Sequence, residues 1–222
     1  MGKRMSNVDS EEKAKLLEMF SEVGISTYRN LLKHRIILLN GEIKENIIER
    51  IVFPLIQLSK ANPRKPITLV INSEGGNHED AQAVVDTIMY SKTHITTLVL
   101  GKAMSAAFDI FLAGDHRIVH ANSLLMCHCG TENPGNKTLP NHISDAKLLQ
   151  TYLERWAKFY ASRTKISESE WLQIMESSKD RYFFPEEAVL KGIAHEIHQP
   201  RTEKLQPTHI RKKKSNRSKR NK

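Results

Sequence analysis

Cysteine is nearly absent. Cys127 and Cys129 are the only two in 222 residues, and a pair separated by one residue is a poor disulfide, so a cross-linked secreted scaffold is excluded. They do not form a metal centre with the intervening His128 either. Side chains alternate across a strand, so both thiols take one face and the imidazole the other; no metal and no other cofactor is expected. Long hydrophobic runs are missing too. No stretch approaches the ~18 apolar residues that cross a bilayer, and the N-terminus lacks the apolar core of a signal peptide. These absences point to a reducing, cytoplasmic setting with no membrane span. The chain also lacks a G-x-x-x-x-G-K-[ST] phosphate loop, which excludes ATP-driven work by these residues.

The net charge of +9 is not spread over the chain. Residues 201–222 hold ten Lys and Arg against one acid, Glu203, while the other 200 residues balance at 24 basic and 24 acidic groups. The pI near 9.5 therefore describes a tail. That tail has no aromatic residue and almost no aliphatic residue after Ile210, so it lacks the apolar area that would offset the entropy of ordering. Residues 199–222 are read as a disordered basic tail, either a solvated arm or a non-specific contact to polyanions such as nucleic acid or anionic lipid. Residues 1–25 are read as an N-terminal arm with a helix at about 9–20, whose stripe of Leu16, Leu17 and Phe20 suits docking on a partner. Residues 26–198 are left as one folded domain, long enough to bury a sizeable core.

Strands and helices alternate along that domain. Arg35–Leu39 reads as a strand ending in the turn Asn40-Gly41, followed by a helix at about 45–60 that carries Ile47, Ile48, Ile51, Val52, Leu55 and Leu58 on one face and is kinked at Pro54. Ile67–Ile71 is a near-continuous apolar strand of the type buried on both faces. After the loop Asn72-Ser73-Glu74-Gly75-Gly76-Asn77 come a helix at about 79–91, a strand at 95–100 and a helix at 105–113. This alternation predicts an α/β fold with a parallel sheet and helical crossovers. Short strands fit 117–120 and 124–128. Residues 142–163 repeat apolar positions as one long helix, Ser167-x-x-Glu170 is a capping box with Ile166 and Trp171 placed as a staple, Pro185–Leu190 reads as a short helix stopped by Gly192, and Ile193–Ile197 as a last strand.

The octet from Gly101 to Phe108 places Ser105 at a strand-to-helix junction. Small neighbours, free amides of a first helical turn and the positive end of the helix dipole are what a nucleophile and its oxyanion need there. The alternative is a serine that only caps the helix. Ser105, His128 and Asp180 are the candidates for nucleophile, base and orienting acid, since serine needs a general base and the base needs an acid to fix its tautomer. Spacing alone does not bring them together, and His78, His94, His116 and His120 compete with His128.

From about Tyr28 to Ile197 the chain resembles the proteolytic subunit of Clp protease, a self-compartmentalising serine peptidase family. The likeness rests on Tyr28 to Leu39, Ile71-Asn72-Ser73 with Gly75-Gly76, Gly101-x-Ala103-x-Ser105-x-Ala107, Ala113-Gly114, Asn122-Ser123 with Met126-x-His128, and Asp180-Arg181 before Glu187-Ala188-Val189 and Gly192. The resemblance implies a repeated ββα spiral of the crotonase-like type. It puts the nucleophile on Ser105, the base on His128, the acid on Asp180, and the oxyanion donors on the backbone N–H groups of Gly76 and Ala106. It further implies a homo-oligomer of two stacked heptameric rings around a chamber, a separate AAA+ ATPase unfoldase, and unfolded proteins or peptides as substrates.

Four places depart from the family's pattern. Glu74 replaces a proline, and a carboxylate turned inward there would oppose an oxyanion. Asp109 replaces an apolar residue one turn after Ser105, where it would compete for the serine hydroxyl or mark an altered site. Cys129-Gly130-Thr131 replaces a proline and paired glycines, and Ser178-Lys179 an acid-arginine pair used between rings. Beside the active endopeptidase stand two alternatives: a catalytically silent ring subunit, and an acyl-CoA hydratase or isomerase of the same broad fold.

Overall fold

The computed structural model describes residues 24–130, 135, 136, 138–177 and 179–200. The expected helix at 9–20 and the basic stretch 201–222 lie outside the described residues. A helix covering 24–33 (α1) leads through a turn into β1 (Ile36–Asn40). The strand starts one residue later than the pattern suggests, because Arg35 has a left-handed φ of 60°. Its guanidinium donates to the carbonyls of Leu58, Asn62, Lys65 and Pro66. One planar fork thereby satisfies the end of a neighbouring helix and the turn after it.

The irregularity expected at Pro54 takes the form of a π-helical turn, Ile48–Val52, running into α2 (Phe53–Ala61). Proline has no N–H for the carbonyl four residues back, which is that of Arg50. The Tyr28 hydroxyl donates to this carbonyl instead, at 2.9 Å.

β2 (Ile67–Ser73), α3 (His78–Met89), β3 (Ile95–Met104), α4 (Ala106–Ala113) and β4 (His116–His120) follow in alternation. β5 (Leu124–Cys127), α5 (Leu139–Arg163), α6 (Glu168–Glu176), β6 (Arg181–Phe183), α7 (Pro185–Leu190) and β7 (Glu196–His198) complete the described chain. The result is an α/β fold with a mostly parallel sheet in the order β1-β2-β3-β4-β7 and helical crossovers between strands. In β2 only alternate residues are fully buried, Ile67, Leu69, Ile71 and Ser73, whereas Thr68 and Val70 are half-buried. The expected burial on both faces is not what is seen: the core joins the first set to Ile51, Leu55, Val84, Ile88 and Phe111 of the helices, and the other face has thinner cover.

β3 extends four residues beyond the apolar run. Two extra residues, Leu100 and Gly101, fall between the pairs Ile71–Val99 and Ser73–Ala103, and Gly101 supplies the φ of 96° that this bulge requires. Before the bulge β3 pairs with β4, and after it with β5. The last strand begins at Glu196 and not at Ile193. The buried Arg117 guanidinium takes the carbonyls of Gly192 and Ile193, so neither is available to a ladder.

An aromatic cluster ties the helical second half to α4. Phe108 stacks on Phe183 and meets Tyr160 edge-on, while Trp171 packs against Tyr160 and Phe183. Ser167 caps α6 by accepting from the Glu170 amide, and Ile166 and Trp171 are both buried beside it. The N-terminal half of α5 is different: Leu139, Ile143, Leu148, Leu149 and Tyr152 are exposed, and only Trp156, Ala157 and Tyr160 are buried. Side chains that share a stripe in the sequence therefore share a core only from Leu153 onward.

Candidate active site

The switch of β3 from β4 to β5 places Ser105. Met104 pairs with Met126, and the next amide, that of Ser105, donates to the Met126 carbonyl at 2.9 Å. The chain then turns sharply into α4, with Ser105 at φ 53° and ψ −130°. Such a backbone is costly for a residue with a Cβ and is retained where the surroundings over-determine it. The Ser105 side chain makes no capping bond to α4, so the cap alternative is overturned. Its Oγ lies 2.7 Å from His128 Nε2.

His128 follows directly on β5, and Asp180 directly precedes β6. These strands pair antiparallel with Leu125 opposite Phe183, Met126 opposite Tyr182 and Cys127 opposite Arg181. One further step of that register sets His128 opposite Asp180, at the separation where cross-strand side chains meet. His128 Nδ1 is 3.4 Å from Asp180 Oδ1. The three candidates from distant parts of the chain are thus neighbours in space. His94 and His116 instead face Asp115 and Glu196, and His120 lies against His198.

Gly75 and Gly76 stand beside the serine. A Cβ on Gly75 would fall 2.8 Å from Ser105 Cβ and 3.1 Å from the Ala106 amide nitrogen; one on Gly76 would fall 2.3 Å from the Ile43 carbonyl oxygen. With φ of 98° and 144°, both positions exclude a side chain on two grounds. Glycine at 76 is required by the backbone of Ile43, a neighbour that no local pattern reveals. The Ile43 amide donates to the Gly75 carbonyl, and the Asn77 amide donates to Ile43. In a parallel bridge of this kind the N–H of the middle residue, Gly76, turns to the opposite side. Among the described residues, neither that N–H nor the one of Ala106 has a recorded acceptor.

Glu74 does not turn inward. It is half exposed and lies 3.3 Å from Lys102 Nζ; a bond from its own backbone amide, and then Lys102, hold its carboxyl below the usual range. Asp109 is not bonded to Ser105. It is buried, with one oxygen accepting from the Tyr160 hydroxyl and the other 3.3 Å from His78 Nδ1. Burial pushes its carboxyl up, against the opposing pull of His78, Tyr160 and His128. Burial likewise pushes the Cys127 thiol up, which makes it an inert packing group, while Cys129 is half-buried.

Three residues of this neighbourhood escaped the sequence reading. Tyr182 donates to Asp180 Oδ2 at 3.1 Å, and the i, i+2 spacing in a strand was the signal that could have revealed it. Tyr160 was visible only as part of an apolar stripe, although a buried tyrosine hydroxyl needs a partner. His78 was noted only as a rival to His128.

The chain was also compared with known proteins. The family model described as Clp protease matches residues 20–201. The chain is 30% identical over 172 residues to a Deinococcus radiodurans protein named ATP-dependent Clp protease proteolytic subunit, covering 77% of this chain and 83% of that one. The chain belongs to the Clp protease family.

Proposed function

We propose that the protein is a serine endopeptidase, the proteolytic subunit of a Clp-type protease. The observation that carries this reading is the 2.7 Å contact of Ser105 Oγ with His128 Nε2 at a strained strand-to-helix turn. For Nε2 to accept the serine proton, Nδ1 must carry its own, and Asp180 favours that tautomer by accepting from it. Ser105 Oγ attacks the scissile carbonyl carbon while His128 takes its proton. The carbonyl oxygen, now an oxyanion, is met by the N–H groups of Gly76 and Ala106 at the positive end of α4. His128 returns the proton to the leaving amine, and a water molecule activated by the same imidazole then frees the acyl group from Ser105. The longer His128–Asp180 distance of 3.4 Å suits a resting site that tightens on binding.

Glu74 facing Lys102 and Asp109 facing Tyr160 and His78 weigh against a silent subunit, because neither carboxylate meets the Ser105 hydroxyl. A serine held against an imidazole favours acyl transfer to water over acyl-CoA hydration or isomerisation. The family further supports assembly into stacked heptameric rings in the cytoplasm, fed with unfolded chains by a separate AAA+ ATPase, with short peptides entering unaided. The exposed apolar side chains on the first half of α5 are of the kind a neighbouring subunit covers.

The test is labelling of the purified protein by a fluorophosphonate, mapped by mass spectrometry, with its native mass measured alongside. A covalent adduct on Ser105 in a multi-subunit assembly is expected. An assembled protein that takes up no label would return the silent-subunit reading.

A further inference from the structure

Among the described residues, Asp109 is a buried carboxylate that faces no Lys or Arg. It lies one helical turn after Ser105 on the same face of α4, and only 3% of its surface is exposed. Buried acids are ordinarily paired with Arg or Lys, or else neutralised. Among the described residues, its recorded contacts are a neutral hydroxyl, that of Tyr160, and His78 Nδ1 at 3.3 Å. Each carboxylate oxygen thus has one recorded partner among the described residues, and neither partner is a fixed cation. His78, which faces Asp109 from one side, is itself 45% exposed. His78 stands edge-on to Trp156, with 4.9 Å between ring centroids.

We propose that Asp109, framed by Tyr160, His78 and Trp156 beside Ser105, is a specificity-determining group that seats a lysine or arginine side chain of the substrate residue whose carbonyl Ser105 attacks. The inference rests on the hydrolytic reading of Ser105. With the carbonyl oxygen held at the first turn of α4, the side chain on the adjoining α-carbon would reach Asp109 by running along the helix face that carries Ser105. A cation there supplies a fixed positive charge, donating to the carboxylate and replacing His78 beside it. An apolar side chain in the same place leaves the carboxylate uncompensated. Discrimination by an unpaired buried polar group is steeper than discrimination by a methylene.

The test uses the full-length assembled protein and four peptidyl phosphonates that differ only in the residue adjoining phosphorus: Lys, Arg, Leu or Ala. A plain alkyl fluorophosphonate without any side chain serves as the reference, and the rate of adduct formation on Ser105 is read for each. The Lys and Arg reagents are expected to react at least tenfold faster than the Leu reagent, and Asp109→Asn to remove that excess. A Leu reagent that reacts as fast or faster on the unaltered protein overturns the inference, while labelling by the plain reagent leaves the hydrolytic reading standing. Failure of the plain reagent overturns both. The ratio on the unaltered protein decides even if Asp109→Asn does not fold.

Discussion

The two sides of the site are built differently. Ser105 is attached to a helix whose eight residues are all buried, and the carbonyls at the far end of that helix are bound by two arginines. Arg163 donates to the carbonyls of Leu112, Ala113 and Gly114, and Arg117 to that of Gly114. His128 and Asp180 have no such support. Their side chains are 27% and 46% exposed, and Asp180 is carried by a strand of three residues. The two contacts differ accordingly, 2.7 Å on the serine side and 3.4 Å on the acid side. The nucleophile is fixed by the core and moves only if the core moves. The base and acid depend on the register of one short antiparallel pair, which makes their alignment the adjustable half of the site.

Removing the fixed half has the largest expected effect. Ser105→Ala is expected to lower peptide hydrolysis by roughly 10⁴- to 10⁶-fold and to leave the assembly unchanged, as measured by turnover of an unstructured peptide and by native mass. A variant that retains its rate would remove Ser105 from the mechanism. Asp180→Asn probes the adjustable half and is expected to cost less. A buried orienting acid contributes roughly 10⁴-fold, but solvent around Asp180 weakens its field on the imidazole. The expected loss in kcat is about 10²- to 10³-fold. A loss equal to that of Ser105→Ala would mean that the acid side is as rigid as the serine side, and the contrast would fail.

The same contrast explains what could be read from the sequence. The strand-to-helix junction at Ser105 is a local event, marked by an apolar β-type run, small residues and a helix-forming stretch, and it was legible. So were the parallel α/β order and the capping box at Ser167, each of which depends on neighbours in sequence. The exact ends of β3 and β7 were not, because Gly101 needed a bulge and Arg117 needed the carbonyls of Gly192 and Ile193, contacts fixed only by packing. The burial of β2 was misjudged for a related reason: its apolar run is continuous, but the cover on its two faces depends on where the helices fall. Asp109 was visible as an odd residue one turn from the serine. Its partners were not, since Tyr160 lies 51 residues away in sequence.

The claim that the core fixes the serine can itself be attacked away from the site. Arg117 is buried and donates to the carbonyls of Ile193, Gly114, Arg163 and Gly192. Burial, then the neighbouring Arg163, lowers its pKa to about 10, still far above neutral pH, so it remains a charged donor. Arg117→Met keeps most of the stem and leaves these acceptors unmatched, at an expected loss of about 3 kcal/mol in unfolding free energy. Denaturant unfolding reads that loss directly. Fluorophosphonate labelling of the folded fraction should also slow, because the far end of α4 is loosened. Slower labelling without any loss of stability would mean that Arg117 acts on the serine by a route other than the helix.

Tyr182→Phe has the smallest expected effect and separates the halves most finely. The hydroxyl donates to Asp180 Oδ2 at 3.1 Å while Oδ1 faces His128, so it restrains the carboxylate without touching the imidazole. Asp180 in turn pushes the phenol pKa up, which keeps the donor proton on the tyrosine at neutral pH. An exposed neutral-to-charged hydrogen bond of this kind is weakened by solvent, and only part of its effect reaches the transition state. The expected result is a two- to fivefold fall in kcat with KM unchanged, because the bond orients the acid that positions the base and binds no substrate. The fall should vanish in the Asp180→Asn background, where there is no carboxylate left to restrain. If Tyr182→Phe lowers kcat equally in both backgrounds, the tyrosine acts through something other than Asp180. The acid would then be held by the strand register alone, and the adjustable half of the site would have one fewer restraint than its hydrogen bonds suggest.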